Sequence, residues 1–235
     1  MKANKGNATD QYSLAKLYYQ GKGNYINYEQ AMAWYMKAAK QGYSPAEYSL
    51  GKMYMHINNK DEGIQWLTKA ANQGLAVAQY NLGLMYYDGQ GVKHDYNKAA
   101  EWYTKAANQG LAGAQYNLGL MYYHGNGTNI DYTTALKWYI KAANQGNVSA
   151  QSRLGDMYYN GIGTNIDYTT ALKWYIKAAN QGNVGAQNNI GVMYRYGRGV
   201  QQDYHIARYW YTKAAKQGLD IAQDNLAYLN RHNLY

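Results

Sequence analysis

The apolar residues of this chain recur at the spacing of an α-helix. In one clear run they fall at positions i, i+3, i+4, i+7 and i+8 and therefore share one helix face. The members of this run are Ala99, Trp102, Tyr103, Ala106 and Ala107. A shorter run of the same kind, Leu82, Met85 and Tyr86, precedes it. The pattern predicts two successive amphipathic helices, which we call helix A and helix B.

This helix pair is repeated along the chain. Six copies begin at equivalent residues, which are Asp10, Ala46, Ala78, Ala114, Ala150 and Ala186. The spacing is 36 residues, except for 32 between the second and third copies, and a partial copy begins at Ala222. The stretch "GTNIDYTTALKWYIKAANQGNV" occurs without a difference at 127–148 and 163–184. A fixed period of this length predicts a stack, because one helix pair cannot bury its own apolar face.

Cap and turn residues mark the ends of the predicted helices. A pair of glycines follows helix A, as at Gly89 and Gly91, and a single glycine follows each helix B, as at Gly110. The residues expected as N-caps of helix B are Asp95, Asp131, Asp167 and Asp203. The same punctuation in successive copies supports two helices per repeat.

One glycine lies inside helix A, where glycine costs about 1 kcal/mol relative to alanine. It recurs as Gly51, Gly83, Gly119, Gly155 and Gly191. We expect its missing side chain to let helix B approach closely, with the bulky tryptophan of helix B nearby. All six tryptophans occupy one position of the repeat. We therefore expect Trp138 to be buried between its own helix A and a neighbouring repeat.

The repeat pattern AxxxLGxMYxxGxGxxxDYxxAxxWYxKAAxQG resembles the Sel-one-like repeat (SLR), a relative of the tetratricopeptide repeat. The resemblance covers nearly the whole chain and implies an all-α fold, an α-solenoid of antiparallel helix pairs (α/α superhelix). We expect a single domain over residues 1–235, with about thirteen helices and a terminal helix at 222–235. The first copy departs from the pattern at Ala15 and Asn27, and the second lacks four residues and carries Leu67 in place of tyrosine.

Composition narrows the classes of function. Cysteine is absent, which removes thiol catalysis, disulfides and cysteine-ligated zinc. The net charge is +9, but six of the 23 basic residues occupy one position in the last turn of helix B, where they complement the helix dipole. These six are Lys37, Lys69, Lys105, Lys141, Lys177 and Lys213. Nucleic acid is therefore not the expected partner. The sequence contains no run of 18 apolar residues, so we expect no membrane insertion.

The N-terminus carries no apolar targeting stretch. Its "KANKGNA" resembles the tail of a repeat, so we expect the chain to begin inside a larger protein. The compartment stays open between the cytoplasm and, if an upstream signal is missing, the periplasm or the exterior.

No motif predicts catalysis or metal binding. The five histidines form neither an HExxH motif nor an i, i+4 pair, and no nucleophile motif or phosphate loop occurs. The resemblance brings one enzymatic alternative, since cysteine-rich SLR proteins have been assigned β-lactamase-like activity. This chain lacks those cysteines and any S-x-x-K motif. We expect no catalytic residue, no cofactor and no metal.

Helix A carries the candidate binding residues, because helix A lines the concave face in tetratricopeptide-like stacks. Tyrosine and leucine at its exposed positions would offer contact area at low entropic cost. The predicted partner-binding residues are Tyr12, Tyr48, Tyr80, Leu84, Tyr87, Asp88, Tyr116, Leu120, Tyr123, His124, Asp156, Tyr159 and Arg195. The alternative is that these tyrosines only pack the repeats together.

We expect a non-enzymatic scaffold or adaptor that binds another protein or peptide. The resemblance implies bacterial adaptors, secreted or periplasmic scaffolds and host-interaction proteins, and the Asn, Lys and Tyr bias favours a bacterium. An immunity or accessory protein that neutralises a toxin is an alternative. A last cluster, Arg195, Arg198, His205 and Arg208, predicts either a patch for an acidic partner or a solvated end of the stack.

Overall fold

The computed structural model describes residues 6–21 and 26–234. These residues form thirteen α-helices and no strand. The helices A are α1 (Ala8–Gln20), α3 (Ser44–His56), α5 (Ala76–Asp88), α7 (Ala112–His124), α9 (Val148–Asn160), α11 (Val184–Tyr196) and α13 (Asp220–Arg231). The helices B are α2 (Tyr28–Ala39), α4 (Lys60–Asn72), α6 (Tyr96–Asn108), α8 (Tyr132–Asn144), α10 (Tyr168–Asn180) and α12 (Tyr204–Ala215).

The chain divides into two compact units, residues 1–114 and 115–235. In the first, each of α1 to α5 packs against the helix that follows it, and in the second each of α8 to α12 does the same. The predicted fold class, an all-α solenoid built from consecutive helix pairs, is confirmed. Helices A begin two residues before the copy starts read from the sequence, so the terminal helix begins at Asp220. The single domain over 1–235 stays a prediction, and the "KANKGNA" stretch and Tyr235 fall mostly or wholly outside the described residues.

The predicted caps are confirmed at every helix B where an aspartate was expected. The carboxylate of Asp95 accepts from the Lys98 amide at 3.0 Å, and that of Asp131 accepts from the Thr134 amide at 2.9 Å. Asn27 does the same for α2, with the Gln30 amide at 2.9 Å. These bonds satisfy backbone donors that the first helical turn leaves without partners.

The core residue of helix B is a tyrosine, and the prediction that Trp138 is buried was wrong. Trp138 is half-buried, whereas the next residue, Tyr139, is fully buried. Equivalent buried tyrosines are Tyr35, Tyr103, Tyr175 and Tyr211, and Leu67 takes this place in the second copy. The tryptophan lies at the edge of the apolar face, where the Lys141 ammonium sits 4.1 Å from the centre of its ring. Such a cation–π contact adds to the helix-dipole role predicted for this lysine.

The glycine inside helix A lies where helix B approaches closely, as predicted. The side chain of helix B that it accommodates is the buried tyrosine, not the tryptophan. A Cβ added at Gly119 would lie 2.7 Å from Cε1 of Tyr139, and one at Gly83 would lie 2.5 Å from the ring of Tyr103. In the second copy the same atom at Gly51 would meet Leu67. Each glycine therefore leaves space for a buried side chain of helix B. The packing of that side chain offsets the free-energy cost of glycine in a helix.

Buried glutamines link the repeats through a relay of hydrogen bonds that sequence reasoning missed. The side chain of Gln79 donates to the Ala71 carbonyl of the preceding helix B at 3.0 Å. It also accepts from Gln109, which follows α6 of its own repeat, at 2.7 Å. The buried members are Gln11, Glu47, Gln79, Gln115, Gln151 and Gln187. The signal was present, because "AQ" and "QG" recur with the period.

Candidate functional site

In the first unit, the predicted binding tyrosines are half-buried, and Tyr12, Tyr80 and Tyr87 rest on other rings. The ring of Tyr80 lies 5.9 Å from that of buried Tyr103, and Tyr87 lies 5.1 Å from Tyr96. Tyr12 contacts Tyr35 at 5.6 Å in the same manner. Packing of this kind holds one side of each ring and leaves part of the ring accessible.

Polar contacts complete this face of the first unit. The hydroxyl of Tyr48 accepts from the Asn81 amide at 3.0 Å. Leu84 is half-buried, and Asp88 is exposed at the end of α5. These residues therefore present a surface that is partly fixed by its own packing.

The second unit repeats the arrangement on α7. Tyr116 lies 5.7 Å from buried Tyr139, and Tyr123 lies 5.1 Å from Tyr132. Leu120 packs against the core cluster around Tyr139 and stays half-buried. His124 is exposed and contacts the ring of Tyr123 at 5.1 Å. The Tyr, Leu, Tyr triad of α5 thus recurs on α7, with each triad held on its own helix.

A cavity of about 350 Å³ lies in the first unit, beside the C-terminal end of α3. Its walls combine aromatic and aliphatic groups with two basic side chains. The residues are Tyr19, Tyr28, Lys52, Met53, His56 and Ile57. Three of them, Tyr19, Lys52 and His56, occupy positions of helix A that were expected to be exposed, but nothing in the repeat pattern distinguishes them from their equivalents in other copies.

A second cavity of about 290 Å³ lies in the second unit, and we call it the Asp156 pocket. Oδ1 of Asp156 accepts from the Tyr175 hydroxyl at 2.8 Å and from Nδ2 of Asn189 at 3.3 Å. Oδ2 lies 3.8 Å from the guanidinium of Arg153. Burial raises the pKa of the Asp156 carboxyl, while the bond from Tyr175 and the charge of Arg153 act to lower it.

The Asp156 pocket contains two predicted residues, Asp156 and Tyr159, and three that were missed, Tyr175, Asn188 and Asn189. The missed asparagines belong to the next helix A, 32 and 33 residues further along the chain. Contacts of this kind depend on the offset between stacked repeats, which the period alone does not specify.

The arginines near the C-terminus contact residues of other elements. Arg198 donates to the Tyr159 hydroxyl, and the guanidinium of Arg195 sits 3.8 Å from the ring centre of Tyr228. Arg208 donates to the Leu234 carbonyl at 3.1 Å. Among the described residues no carboxylate lies within ion-pair distance of Arg195 or Arg198. Binding of an acidic partner here stays a prediction.

Neither a metal centre nor a membrane span is found in the part of the chain that the structure describes. There, no three histidine, aspartate or glutamate side chains are grouped as metal ligands. No helix in residues 6–21 and 26–234 combines the length and hydropathy that crossing a membrane requires.

Known proteins share both the repeat and the fold. The Sel1 repeat matches residues 8–43, 44–75, 76–111, 112–147, 148–183 and 184–219. A crystal structure of a protective antigen present in uropathogenic Escherichia coli strains, which displays an SLR fold, is 40% identical with a TM-score of 0.94. It aligns with 99% of this chain, which spans about half of that protein, 51%.

More distant structures extend the comparison. A Sel1 repeat protein from Oxalobacter formigenes is 34% identical, with a TM-score of 0.75, over 89% of this chain and 85% of that one. An immunity protein from Pseudomonas aeruginosa, 19% identical over 91% of this chain and 82% of that one, has a TM-score of 0.50 and shares the fold alone. Curated protein sequences give no match. With six matched repeats, this chain belongs to the Sel1 repeat family, whose repeats typically serve in protein–protein interaction.

Proposed function

We propose that this chain is a non-enzymatic scaffold whose helix-A surface binds a segment of another polypeptide. The observation that carries the proposal is the recurrence of one half-buried Tyr, Leu, Tyr triad on α5 and α7. The first triad is Tyr80, Leu84 and Tyr87, and the second is Tyr116, Leu120 and Tyr123. Because the relatives above 30% identity come from bacteria, we also propose a bacterial origin.

The physical basis of the proposal is that the rings are already ordered. Each tyrosine of a triad rests on a ring of helix B, so little side-chain entropy remains to be lost when a partner binds. Packing and binding are therefore compatible roles for these residues. An apolar leucine between two tyrosine hydroxyls suits a peptide that alternates apolar contacts with hydrogen bonds.

Selection from a random peptide library displayed on phage provides the test. Affinities of the selected peptides are then measured for the wild type, Tyr87→Ala and Tyr123→Ala. We expect losses of about thirtyfold for an anchor residue, corresponding to about 2 kcal/mol. The matched control is Thr133→Ala, which changes an exposed residue of α8.

Melting temperatures of the same variants separate binding from folding. The ring contacts mean that truncation also lowers stability, so affinities are compared at a temperature where every variant is folded. Tyr87→Phe and Tyr123→Phe keep the ring and remove only the hydroxyl, so their affinity losses should be smaller than those of the alanine variants and should report the hydrogen bonds alone. Affinities that both alanine variants leave unchanged would place the binding surface elsewhere.

A further inference from the structure

The Asp156 pocket differs from the surface around it in charge. The residues at the same repeat position in the neighbouring copies are Leu84, Leu120 and Val192. The first two copies carry Lys16 and Lys52 there, so among the described residues at this repeat position Asp156 is the only carboxylate, in a chain whose net charge is +9. A buried charge costs free energy unless a partner compensates it. The substitution of an apolar residue by an acid therefore requires a reason.

The two oxygens of the Asp156 carboxylate differ in the number of hydrogen bonds that they accept. Oδ1 accepts two hydrogen bonds, from Tyr175 and Asn189, whereas among the described residues the one contact of Oδ2 is Arg153 at 3.8 Å. That separation is too long for a hydrogen bond. Both side chains of the pair are partly exposed, at 43% for Arg153 and 34% for Asp156, so the pair contributes little. Oδ2 keeps acceptor capacity for a donor that enters the cavity.

The remaining walls favour a donor at the end of an aliphatic chain. Asn189 donates to Asp156 through Nδ2, which leaves its own Oδ1 as a second acceptor. The ring of Tyr159 and the side chains of Val192 and Ile221 provide apolar surface. Arg198 already donates to the Tyr159 hydroxyl and lies 5.2 Å from the centre of its ring, so we count this ring as apolar surface only. The pocket thus combines two acceptors, one negative charge and an apolar channel.

We propose that the Asp156 pocket binds the ammonium group of a lysine side chain. That this lysine belongs to a partner polypeptide rests on the proposed function, whereas binding of the ammonium group itself does not. An ammonium group has three donors, so it can donate to Oδ2 of Asp156 and still have donors for a second acceptor among the lining residues. A guanidinium group pairs best with both oxygens of one carboxylate, and here Oδ1 is already occupied.

Arg153 is the natural competitor for this site. Its positive charge lies near Oδ2, so it opposes the entry of a second cation. Removing that charge should strengthen ammonium binding, an effect that a purely structural role of Asp156 would not produce. Ammonium affinity should therefore change in opposite directions when Asp156 and Arg153 are substituted, and this pair of results identifies the proposed interaction.

The test is a titration of the full chain with n-butylamine, followed by the side-chain amide signals of Asn188 and Asn189 in NMR spectra. At pH 8 the amine remains protonated. We expect saturable binding on the order of millimolar, because a ligand this small has little surface to bury. Butanol, which has no charge, should not bind, and n-butylguanidine should bind more weakly than butylamine.

Three variants decide the outcome. Asp156→Asn should weaken butylamine binding by at least about tenfold, because it removes the charge but keeps the shape. Arg153→Gln should strengthen it by about two- to fivefold. Glu101→Gln, which removes an exposed acid of α6, is the control and should have no effect. Circular dichroism establishes that each variant is folded.

Other results would overturn the proposal in distinct ways. Equal affinity of wild type and folded Asp156→Asn would remove the pocket as an ammonium site, and peptide binding at the tyrosine triads would be unaffected. Equal affinity for butylamine and butylguanidine would overturn the choice of lysine. If butylamine binds as expected but no displayed peptide does, the proposed function fails and the ammonium site stands.

Discussion

The two identical segments at 127–148 and 163–184 build the same local structure and then meet different neighbours. Asp131 and Asp167 each cap a helix B by accepting from the backbone of Thr134 and Thr170, both at 2.9 Å. The lysine of the last turn lies 4.1 Å from the tryptophan ring in both copies. Everything that depends on contacts within the segment is thus reproduced.

The difference lies at the buried tyrosine. Tyr175 donates to Asp156 at 2.8 Å, whereas the hydroxyl of Tyr139 is buried without a hydrogen-bond partner among the described residues. At the position equivalent to Asp156, the preceding copy carries Leu120. An unpaired buried hydroxyl is costly, and a paired one is not. The residue at this position of helix A therefore determines whether the buried tyrosine hydroxyl of an identical helix B has a hydrogen-bond partner.

The largest expected effect concerns what the two segments share. Tyr139→Ala and Tyr175→Ala should each lower the free energy of unfolding by about 3–5 kcal/mol, because each empties the space above a helix-A glycine. Urea unfolding measures the loss. Trp138→Ala, at the half-buried neighbouring position, is the control and should cost clearly less. An equal loss at Trp138 would show that the tryptophan, not the tyrosine, is the main packing residue.

A smaller effect should separate the two segments. Tyr175→Phe should destabilise the protein by about 1–2 kcal/mol, because Asp156 loses a donor. Tyr139→Phe should be neutral or stabilise by up to about 1 kcal/mol, because it removes a hydroxyl that has no partner. Both are measured by urea unfolding. In an Asp156→Leu background, the cost of Tyr175→Phe should disappear, and its persistence would contradict the pairing.

The smallest expected effect depends on pH. Burial raises the pKa of the Asp156 carboxyl above its ordinary value of 3.8, so the folded protein takes up this proton before the unfolded chain does. The penalty for the charge is complete above the raised pKa and is relieved as the pH falls towards 3.8. We expect the wild type to gain stability relative to Asp156→Asn over that window. The change should stay well under about 1 kcal/mol, since 34% of the side chain is exposed.

Thermal unfolding of both proteins between pH 7 and pH 4 provides the measurement. Asp131 and Asp167 have pKa values lowered by hydrogen bonds from Thr134 and Thr170, so their stabilising contributions are lost as the pH falls. Because both proteins contain these two aspartates, that loss cancels in the comparison. A loss of wild-type stability relative to Asp156→Asn as the pH falls would contradict the raised pKa of Asp156.

The repeat, its caps and its helix class could be predicted because each depends on neighbours in the chain. The aspartate caps and the helix-A glycine follow from local rules that operate within a few residues. The choice between Trp138 and Tyr139 as the core residue could not be made in this way. The two are adjacent large aromatics on one apolar face. They differ in that the ring of Tyr139 fills the space that Gly119 of the facing helix leaves.

The candidate site was less predictable than the fold. Asp156 and Tyr159 were predicted as binding residues and stay a prediction, whereas Asn188 and Asn189, which line the same pocket, come from the next repeat. Whether a tyrosine of helix A packs or binds also depends on the ring beneath it, as for Tyr116 on Tyr139. Those contacts arise only when the repeats stack, so the residue pattern of one copy does not contain them.

The glutamine relay forms the same hydrogen bonds in successive repeats, so one repeat can take the place of another. Gln151 donates to the Ala143 carbonyl at 3.1 Å, and Gln187 donates to Ala179 at 3.3 Å. If residues 148–183 were excised, Gln187 would follow the first identical segment at the distance that Gln151 now has. Gln187 would then donate to the Ala143 carbonyl, so the glutamine hydrogen bond would be kept, whereas Asn189 would lose Asp156 as its acceptor. Proteins of this design can be lengthened or shortened by whole repeats during evolution, which changes the length of the stack without requiring a new core.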